Sequence, residues 1–304
     1  MSVTAKAAGI TAVAESRTCV IAVMSTFRPD AEVAANIERV ASQAEKVIVI
    51  DDTGDGPSSL QGQTSDGVEV ITNSINLGLA ASLNIAVRSA VAHGATHVLT
   101  LDDDTPLAPG YISLILSAMA HARREGHRVL TAGPTTVNGG RDPLYGHVHE
   151  FSGGQCSLNV VQSGMLFDVR AFEEVGWFRE EFFIDALEPD FLARLHRCGY
   201  HTLLAPNVDL VHTVGEPRQI HVGWRTVNPQ NHQAFRLYYI TRNMLTFVRE
   251  NQTYEPIITK QTKRWLRKKI FKAILFESRR RAKIVAAWRG YRDFRTGRLG
   301  RIEE

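Results

Sequence analysis

The sequence predicts an α/β protein whose mostly parallel β-sheet is covered by helices on both faces. The first half of the chain alternates apolar segments of strand length with amphipathic segments of about 12 residues, an order typical of parallel sheets. Within these apolar segments, apolar and polar residues alternate little, which indicates strands that are buried on both faces. Acidic clusters follow two of these segments, and the ligands of parallel sheets collect at the carboxyl ends of strands.

Four strands and three helices are predicted in the first 126 residues. The predicted strands are CVIAVMST, KVIVIDDTGDG, VEVITNS and THVLTLDDD. The first helix, DAEVAANIERVASQAEK, begins at Pro29 or Asp30, and its apolar residues recur at helical spacing. The second and third helices, GLAASLNIAVRSAVAHG and GYISLILSAMAHARREG, each end at a glycine, a common helix stop.

The second half of the chain has a less regular pattern. Residues 133–155 are rich in glycine and predict a loop or hairpin, and CSLNVVQSGMLFDV predicts a pair of strands. RAFEEVG predicts a helix, EEFFIDALEPDFLARLHRCG a turn into an acidic helix, and YHTLLAPNVDLVHT a further strand. No internal repeat or low-complexity linker interrupts this region, so one continuous domain is expected to about residue 225.

The charge of the chain is divided unevenly along its length. The net charge of the 304 residues is +3, yet residues 260–301 carry sixteen Lys and Arg against two acids. Aromatic and aliphatic residues are interspersed among these bases, a composition typical of amphipathic helices that lie on anionic membranes. We therefore expect a membrane contact there, with a contact to a second copy of the chain as one alternative. Nucleic-acid binding is not expected, because no nucleic-acid-binding fold accompanies the basic segment.

The cellular compartment is predicted from cysteines and targeting signals. Three isolated cysteines, Cys19, Cys156 and Cys198, fit no C-x-x-C spacing, which favours a reducing compartment. Residues 1–18 lack the apolar core of a secretory signal, and no run approaches the ~18 apolar residues of a membrane span. A cytoplasmic protein at the inner face of a bacterial cell membrane is the expectation.

Three adjacent carboxylates, Asp102–Asp104, follow the fourth predicted strand. Helix capping would explain one aspartate, but three like charges raise one another's pKa unless a cation is near. A divalent cation, Mg²⁺ or Mn²⁺, that bridges carboxylates to substrate phosphates would relieve this repulsion. Aspartyl phosphatases expect Thr or Val two positions after the second Asp, and Pro106 breaks that register. The chain also lacks the Walker and G-x-G-x-x-G motifs of ATP and NAD sites.

Ordered segments over residues 19–249 resemble family 2 glycosyltransferases with the GT-A fold. The segments are VIAVMSTFRPD, KVIVIDDTGDG, NSINLGLAASLNIAVRSAVAHGATHVLTLDDDTPL, FFIDALEPDFLARLHRCGYHTLLAPNVDLVHT and RLYYITRNMLTFVRE. The nearer resemblance is to bacterial rhamnosyltransferases, which use dTDP-L-rhamnose, and to galactofuranosyltransferases, and it includes RGYRDFRTGRLGR. It implies a glycosyltransferase domain over residues 19–250, with a nucleotide-binding half to residue 105 and an acceptor-binding half over 106–250. Residues 1–18 would be a loose lead-in and 251–304 a basic helical region.

The resemblance also implies roles for particular residues. Residues 25–28 and two acids of the second strand would contact the pyrimidine and ribose of the donor, because a carboxylate can accept the N–H of thymine or uracil. Asp102 and Asp104 would bind the metal, with His212 as a further ligand. Trp177 would either stack on a sugar or pack in the core. The residues assigned to the donor are Ser25, Thr26, Phe27, Arg28, Asp51, Asp52, Asn76, Gly78, Asn84, Asp102 and Asp103.

The segment DALEPDF is expected to supply the general base of an inverting transfer, by resemblance. Glu188 would take the proton of the acceptor hydroxyl, and Asp190 would begin a helix and bind the acceptor or orient the site. Asp185 is a third candidate, because Pro189 between the two acids and Glu188 in place of the more usual Asp depart from the family pattern. The acceptor would be a glycan linked to a polyprenyl diphosphate.

Three alternatives remain open from the sequence. The donor is dTDP-L-rhamnose or, as the second choice, UDP-galactofuranose or another UDP-sugar. A catalytically silent, membrane-docked assembly protein would release no nucleoside diphosphate from any donor. A metal-dependent phosphohydrolase would instead release phosphate from simple esters without an acceptor.

Overall fold

The computed structural model describes residues 17–56, 58–60, 66–140, 148–151, 154–211, 220–222, 225–227 and 231–302. Eleven strands lie in this part of the chain. They are β1 (Val20–Thr26), β2 (Lys46–Asp51), β3 (Val68–Thr72), β4 (His97–Asp102), β5 (Val129–Val137), β6 (Val148–Phe151), β7 (Gly154–Ser157), β8 (Met165–Asp168), β9 (His201–Leu210), β10 (Ile220–Val222) and β11 (Arg225–Val227).

Eight α-helices accompany the strands in the described residues, and a short 3-10 helix covers Glu180–Phe182. The α-helices are α1 (Ala31–Ala41), α2 (Leu79–Ala92), α3 (Tyr111–Arg124), α4 (Arg170–Val175), α5 (Leu187–Arg197), α6 (Ala234–Asn251), α7 (Pro256–Phe276) and α8 (Arg280–Thr296). Asp30 caps α1 by accepting a hydrogen bond from the backbone N–H of Glu32, which confirms that this helix begins after Asp30.

Nine of the strands form one mixed sheet in the order β3-β2-β1-β4-β8-β5-β9-β7-β6. The first four strands of this order are parallel, as the sequence predicts. β8 is antiparallel to both β4 and β5, whereas β9 runs parallel to β5. The parallel half therefore brings the carboxyl ends of β1, β2 and β4 together at one edge.

Two predictions for the second half need correction. Residues 133–137 end strand β5 instead of belonging to a loop, and the pairing of β5 with β9 shifts register beside Pro134, where a missing N–H is tolerated. CSLNVVQSGMLFDV does contribute to two strands, β7 and β8, but these do not pair with each other. β8 inserts between β4 and β5, and β7 pairs with β6 and β9.

The sheet is buried between two helical layers, which confirms the predicted α/β architecture. Apolar side chains of α2, α4 and α5 pack on one face with Ile21, Val23 and Ile48. Side chains of α1 and α3 pack on the other face with Ala22 and Met24. Neighbouring residues of β1 thus enter opposite cores, which is why its sequence is apolar throughout.

The last three helices pack together at one end of the molecule. α6 contacts both α7 and α8, and α7 contacts α8. Gly290 permits the approach of α8 to α6, because a Cβ at this position would lie 2.5 Å from the carbonyl oxygen of Tyr238. Among the described helices, none is both long enough and apolar enough to cross a bilayer.

Candidate active site

A cleft of about 1180 Å³ opens at the carboxyl ends of β1 and β4. In the sheet register Thr26 lies beside Asp51, and Ser25 lies beside Asp102. Predicted site residues that are far apart in the sequence therefore lie together at one edge of the sheet. The predicted site residues that line the cleft are Ser25, Thr26, Phe27, Arg28, Asp52, Asn76, Gly78, Asp102, Asp103, Asp104 and Glu188.

The three adjacent aspartates have different environments. Asp103 accepts a hydrogen bond of 2.5 Å from the Thr26 hydroxyl, and burial raises the pKa of its carboxyl. The backbone N–H of Asp102 donates to Ser163 Oγ at 2.9 Å, which fixes the turn at the end of β4. Asp104 is exposed. Asp103 is therefore bound to β1, and all three aspartates line the cleft.

Asp52 organises the loop that forms the donor end of the cleft. Its carboxylate accepts the backbone N–H groups of Leu77 and Gly78, each at 2.8 Å, and the amide of Asn73 at 2.8 Å. Gly78 has a φ of +87°, and a Cβ there would lie 2.5 Å from the ring of Phe183. Only glycine suits this position, so the sequence LGLA fixes the loop against the segment that precedes the predicted base.

Phe27 and Arg28 extend the cleft beyond the end of β1. The guanidinium of Arg28 lies over the Phe27 ring at 5.1 Å, and the backbone N–H of Arg28 donates to Thr53 Oγ1 at 2.8 Å. The Phe27 side chain is 50% exposed. An exposed aromatic ring at the mouth of a cleft offers a surface on which a planar base can stack.

Three of the residues predicted to contact the donor or a sugar lie outside the cleft lining. Asp51 is buried, and its Oδ1 accepts the backbone N–H of Thr53 at 3.0 Å. Asn84 is buried and exchanges two hydrogen bonds with the backbone of Phe178, at 2.9 and 3.0 Å. The ring of Trp177 packs on the core, 4.5 Å from the Arg88 guanidinium. The structure thus favours core packing over sugar stacking for Trp177.

Glu188, in the first turn of α5, lines the cleft together with the aspartates. Burial raises the pKa of its carboxyl to about 7, and the nearby negative charges of Asp185 and Asp102 add to the increase. A carboxyl with a pKa near neutrality can accept a proton from a hydroxyl and release it again at physiological pH.

Asp185 and Asp190, the two other candidates for the base, are held by arginines. Asp185 accepts from Arg236 at 3.3 Å at the cleft wall. Asp190 is buried behind the cleft lining, where it forms ion pairs with Arg194 at 3.0 Å and Arg179 at 3.5 Å. Burial raises the pKa of the Asp190 carboxyl despite these two cations, and it raises the pKa of Glu188 to about 7. Glu188 is therefore the candidate that both lines the cleft and has a pKa near neutrality.

The loop before Glu188 is strained and is held by α6. Phe183, Asp185 and Ala186 have φ angles of 67°, 64° and 68°, a region that non-glycine residues rarely adopt. The side-chain amide of Asn243 donates to the carbonyls of Phe182 and Ile184, each at 2.8 Å. Helix α6 therefore fixes the backbone conformation that brings Glu188 to the cleft.

A basic wall faces the acids across the cleft. It consists of His232, Arg236 and Lys269. His232 precedes α6, Arg236 lies on α6, and Lys269 lies on α7. Burial and nearby cations lower the pKa of His232 to about 3, so this imidazole is neutral at pH 7. Burial is also the main reason that the pKa of Lys269 falls to about 8. The basic region that was predicted for a membrane thus also contributes to the cleft.

The predicted metal site is only partly within the described residues. His212 lies outside them, so its role as a ligand stays a prediction. Within the described part of the chain, no three His, Cys, Asp or Glu side chains are arranged to hold an ion by themselves. An ion at this cleft would need ligands from its substrate in addition to Asp102 and Asp104.

Comparison with known proteins decides the family. The model of glycosyl transferase family 2 matches residues 21–175, half of the chain. The chain belongs to glycosyl transferase family 2. It is therefore a glycosyltransferase, as the sequence predicts. This glycosyltransferase is also similar to the dTDP-rhamnosyl transferase RfbF of Shigella flexneri, with 25% identity over 76% of this chain and 80% of the relative.

Solved structures show the same fold at low sequence identity. TarS 1-349 of S. aureus has a TM-score of 0.53 and 13% identity, over 91% of this chain and 81% of that solved chain. TarS has also been solved in complex with UDP-GlcNAc, with a TM-score of 0.52 and 14% identity, over 92% of this chain and 82% of that one. GalNAc-T7, solved with UDP, GalNAc and Mn²⁺, has a TM-score of 0.54 and 12% identity, over 87% of this chain and 59% of its own. The GT-A fold of this glycosyltransferase is therefore confirmed.

Several residues of this glycosyltransferase site were not predicted from the sequence. They are Asp185's partner Arg236, the loop-holding Asn243, and Lys269 of the basic wall. The segment RLYYITRN was recognised as part of the family resemblance, and its arginines and asparagine were the available signal. The partners of Arg236 and Asn243 lie 51 and 61 residues earlier in the chain, so these two contacts depend on the tertiary fold.

Proposed function

We propose that this glycosyltransferase moves a sugar, with inversion, from a nucleoside-diphosphate donor to a hydroxyl of a lipid-linked cell-surface glycan. The observation that carries the proposal is the placement of Glu188 and Asp102 in one cleft, close enough for the charge of Asp102 to raise the Glu188 pKa. Donor and acceptor would meet between the strand-end acids and the base.

Glu188 would act as the general base. Its carboxylate takes the proton of the acceptor hydroxyl while that oxygen forms a bond to the anomeric carbon of the donor sugar. The bond between the anomeric carbon and the donor phosphate breaks with its electron pair remaining on the diphosphate. With a pKa of about 7, a large fraction of Glu188 is ionised at neutral pH and ready to accept this proton.

The charges of the cleft fit a divalent metal ion. Seven carboxylates and four cationic side chains line it, so the addition of an anionic diphosphate needs further positive charge. Asp102 and Asp104 are the residues that would hold Mg²⁺ or Mn²⁺, together with oxygens of the donor diphosphate. The ion would supply Lewis-acid stabilisation of the leaving diphosphate.

Similarity to a dTDP-rhamnosyl transferase supports dTDP-L-rhamnose as the donor. UDP-galactofuranose or another UDP-sugar is the alternative, and the UDP-GlcNAc complex of TarS supports a UDP donor for this fold. Phe27 at the cleft mouth offers a stacking surface for either pyrimidine. Thymine differs from uracil by one methyl group, which is worth roughly 1 kcal/mol, so contacts to the sugar must provide most of the selection.

Helices α7 and α8 would bring the enzyme to its acceptor at the cytoplasmic face of a bacterial cell membrane. Phe271 and Leu275 lie one turn apart on α7 and are 61% and 41% exposed. Ile284 and Trp288 lie one turn apart on α8 and are 46% and 60% exposed. Exposed apolar side chains among many Lys and Arg suit an anionic lipid surface, and a polyprenyl diphosphate acceptor would be presented there.

A calorimetric donor screen tests the proposed function. The chain is titrated with dTDP-L-rhamnose, UDP-galactofuranose and UDP-GlcNAc, with and without Mg²⁺ or Mn²⁺. We expect binding of at least one donor that is stronger with the metal and is weakened by Asp102→Asn. Glu188→Gln should keep donor binding and lose transfer. Binding of no nucleotide sugar by the wild-type protein would refute the proposal, and phosphate release from simple esters without an acceptor would favour a phosphohydrolase.

A further inference from the structure

A short segment after α8, residues 298–302, returns to the cleft and is fixed there by backbone hydrogen bonds. The N–H of Gly300 donates to the Glu181 carbonyl at 2.7 Å. The N–H of Ile302 donates to the Tyr239 hydroxyl at 2.8 Å. This return segment therefore joins α6 to the loop before the base, and two of its side chains, those of residues 301 and 302, line the cleft.

A buried arginine of α6 fixes the return segment to the base loop. Arg242 is fully buried, and its Nη1 donates to the Gly300 carbonyl at 2.6 Å. Its Nη2 donates to the carbonyls of Glu181 and Phe182, at 3.1 and 3.3 Å. A buried guanidinium needs such acceptors to offset its lost hydration, so the return segment is an integral part of the fold.

Arg301 extends from this segment to the donor end of the cleft. Its Nη1 donates to the backbone carbonyl of Asn76 at 3.0 Å, and Asn76 belongs to the loop that Asp52 holds. The side chain of Arg301 is exposed and lines the cleft. A guanidinium has five N–H donors, so it can hold Asn76 and also donate to an anionic ligand.

We propose that Arg301 binds the phosphates of the nucleoside-diphosphate donor. The planar fork of a guanidinium matches phosphate oxygens, and the acid-rich cleft needs cations for an anionic donor. Two other arginines of the cleft are engaged elsewhere, since Arg236 pairs with Asp185 at 3.3 Å and Arg28 lies over Phe27 at 5.1 Å. This inference rests on the proposed donor class.

Arg301 lies 225 residues after its partner Asn76, and this separation has a functional consequence. The donor site is complete only after α6, α7 and α8 have folded against the nucleotide-binding half. The return segment contacts both the donor loop and the base loop, so Arg301 would add donor affinity without taking part in proton transfer.

Two variants test the role of Arg301. Arg301→Gln removes the charge but keeps a side-chain amide that can donate to the Asn76 carbonyl, and Arg301→Lys keeps a charge without the fork. Binding of dTDP and UDP in Mg²⁺ is measured by calorimetry, and Tm reports folding. We expect about tenfold weaker binding for Arg301→Gln, a smaller loss for Arg301→Lys, and an unchanged Tm.

Arg298→Gln is the matched control, because Arg298 is exposed in the same segment and does not line the cleft. It should bind both nucleotides like the wild type. Wild-type affinity of Arg301→Gln for both nucleotides would overturn the inference while the proposed function stands. An equal loss of affinity in Arg298→Gln would also overturn it, by showing a general charge effect. Failure of the wild type to bind either nucleotide would instead overturn the proposed donor class and, with it, this inference.

Discussion

Replacing Glu188 with Gln should stabilise the protein at neutral and alkaline pH while it removes activity. The folded protein raises the pKa of this carboxyl from 4.5 to about 7. The folded state therefore holds the proton more tightly than the unfolded state, and stability falls as pH rises through this interval. Gln carries no charge at any of these pH values, so it avoids the cost of ionising a buried group.

The size of this effect follows from the pKa difference. A difference of about 2.5 units at 1.36 kcal/mol per unit gives a stabilisation of about 3 kcal/mol above pH 7. The gain should decrease below pH 7 and vanish below about pH 4.5, where both states are protonated. Transfer should fall on the order of 100-fold or more, because a general base contributes this much.

Urea unfolding of wild type and Glu188→Gln at pH 5, 6, 7 and 8 measures the first effect. Glu38→Gln is the control, since Glu38 is exposed on α1, away from the cleft. We expect no change in unfolding free energy for the control at any of these pH values. Equal stability of Glu188→Gln and wild type at pH 8 would contradict this prediction, because it would show that Glu188 is not held in an environment that disfavours its charge.

Three further predictions follow from the fold and from the basic helices. Asp190→Asn should lower the free energy of unfolding by about 1 kcal/mol, measured in urea, because Arg194 loses its carboxylate partner whereas Arg179 keeps Glu250 and Glu181. Asn243→Ala should lower kcat with little change in donor KM, since the strained loop before the base loses its anchor; equal changes in both constants would contradict this. Trp288→Ser should reduce sedimentation with phosphatidylglycerol vesicles at unchanged Tm, whereas Val91→Ser, exposed on α2, should not.

The first half of the fold could be predicted because its strands and helices are local in sequence. β1 to β4 and α1 to α3 lie within the predicted segments, since apolar strands and amphipathic helices carry distinct periodicities. The second half could not be predicted as well. β8 enters the sheet between β4 and β5, and no local pattern shows which strands will pair.

The site residues that could be predicted are those with clustered charges or with a match to the family pattern. Asp102–Asp104 stand out by charge, and Glu188 stands out by resemblance; all four line the cleft. The sequence does not give the direction of a side chain. Asn84 was therefore assigned to the donor, and Trp177 to either a sugar or the core, whereas both lie against the core. Arg301 could not be assigned, because its contact with the donor loop depends on how α8 packs.

We propose that Glu188 deprotonates the acceptor during sugar transfer from a nucleotide donor. The most direct test compares wild type and Glu188→Gln for release of nucleoside diphosphate from the donor that the binding screen selects, with a lipid-linked glycan as acceptor. We expect donor Kd values equal within about threefold and a turnover at least about 100-fold lower for the variant. Turnover of Glu188→Gln at the wild-type rate would contradict it.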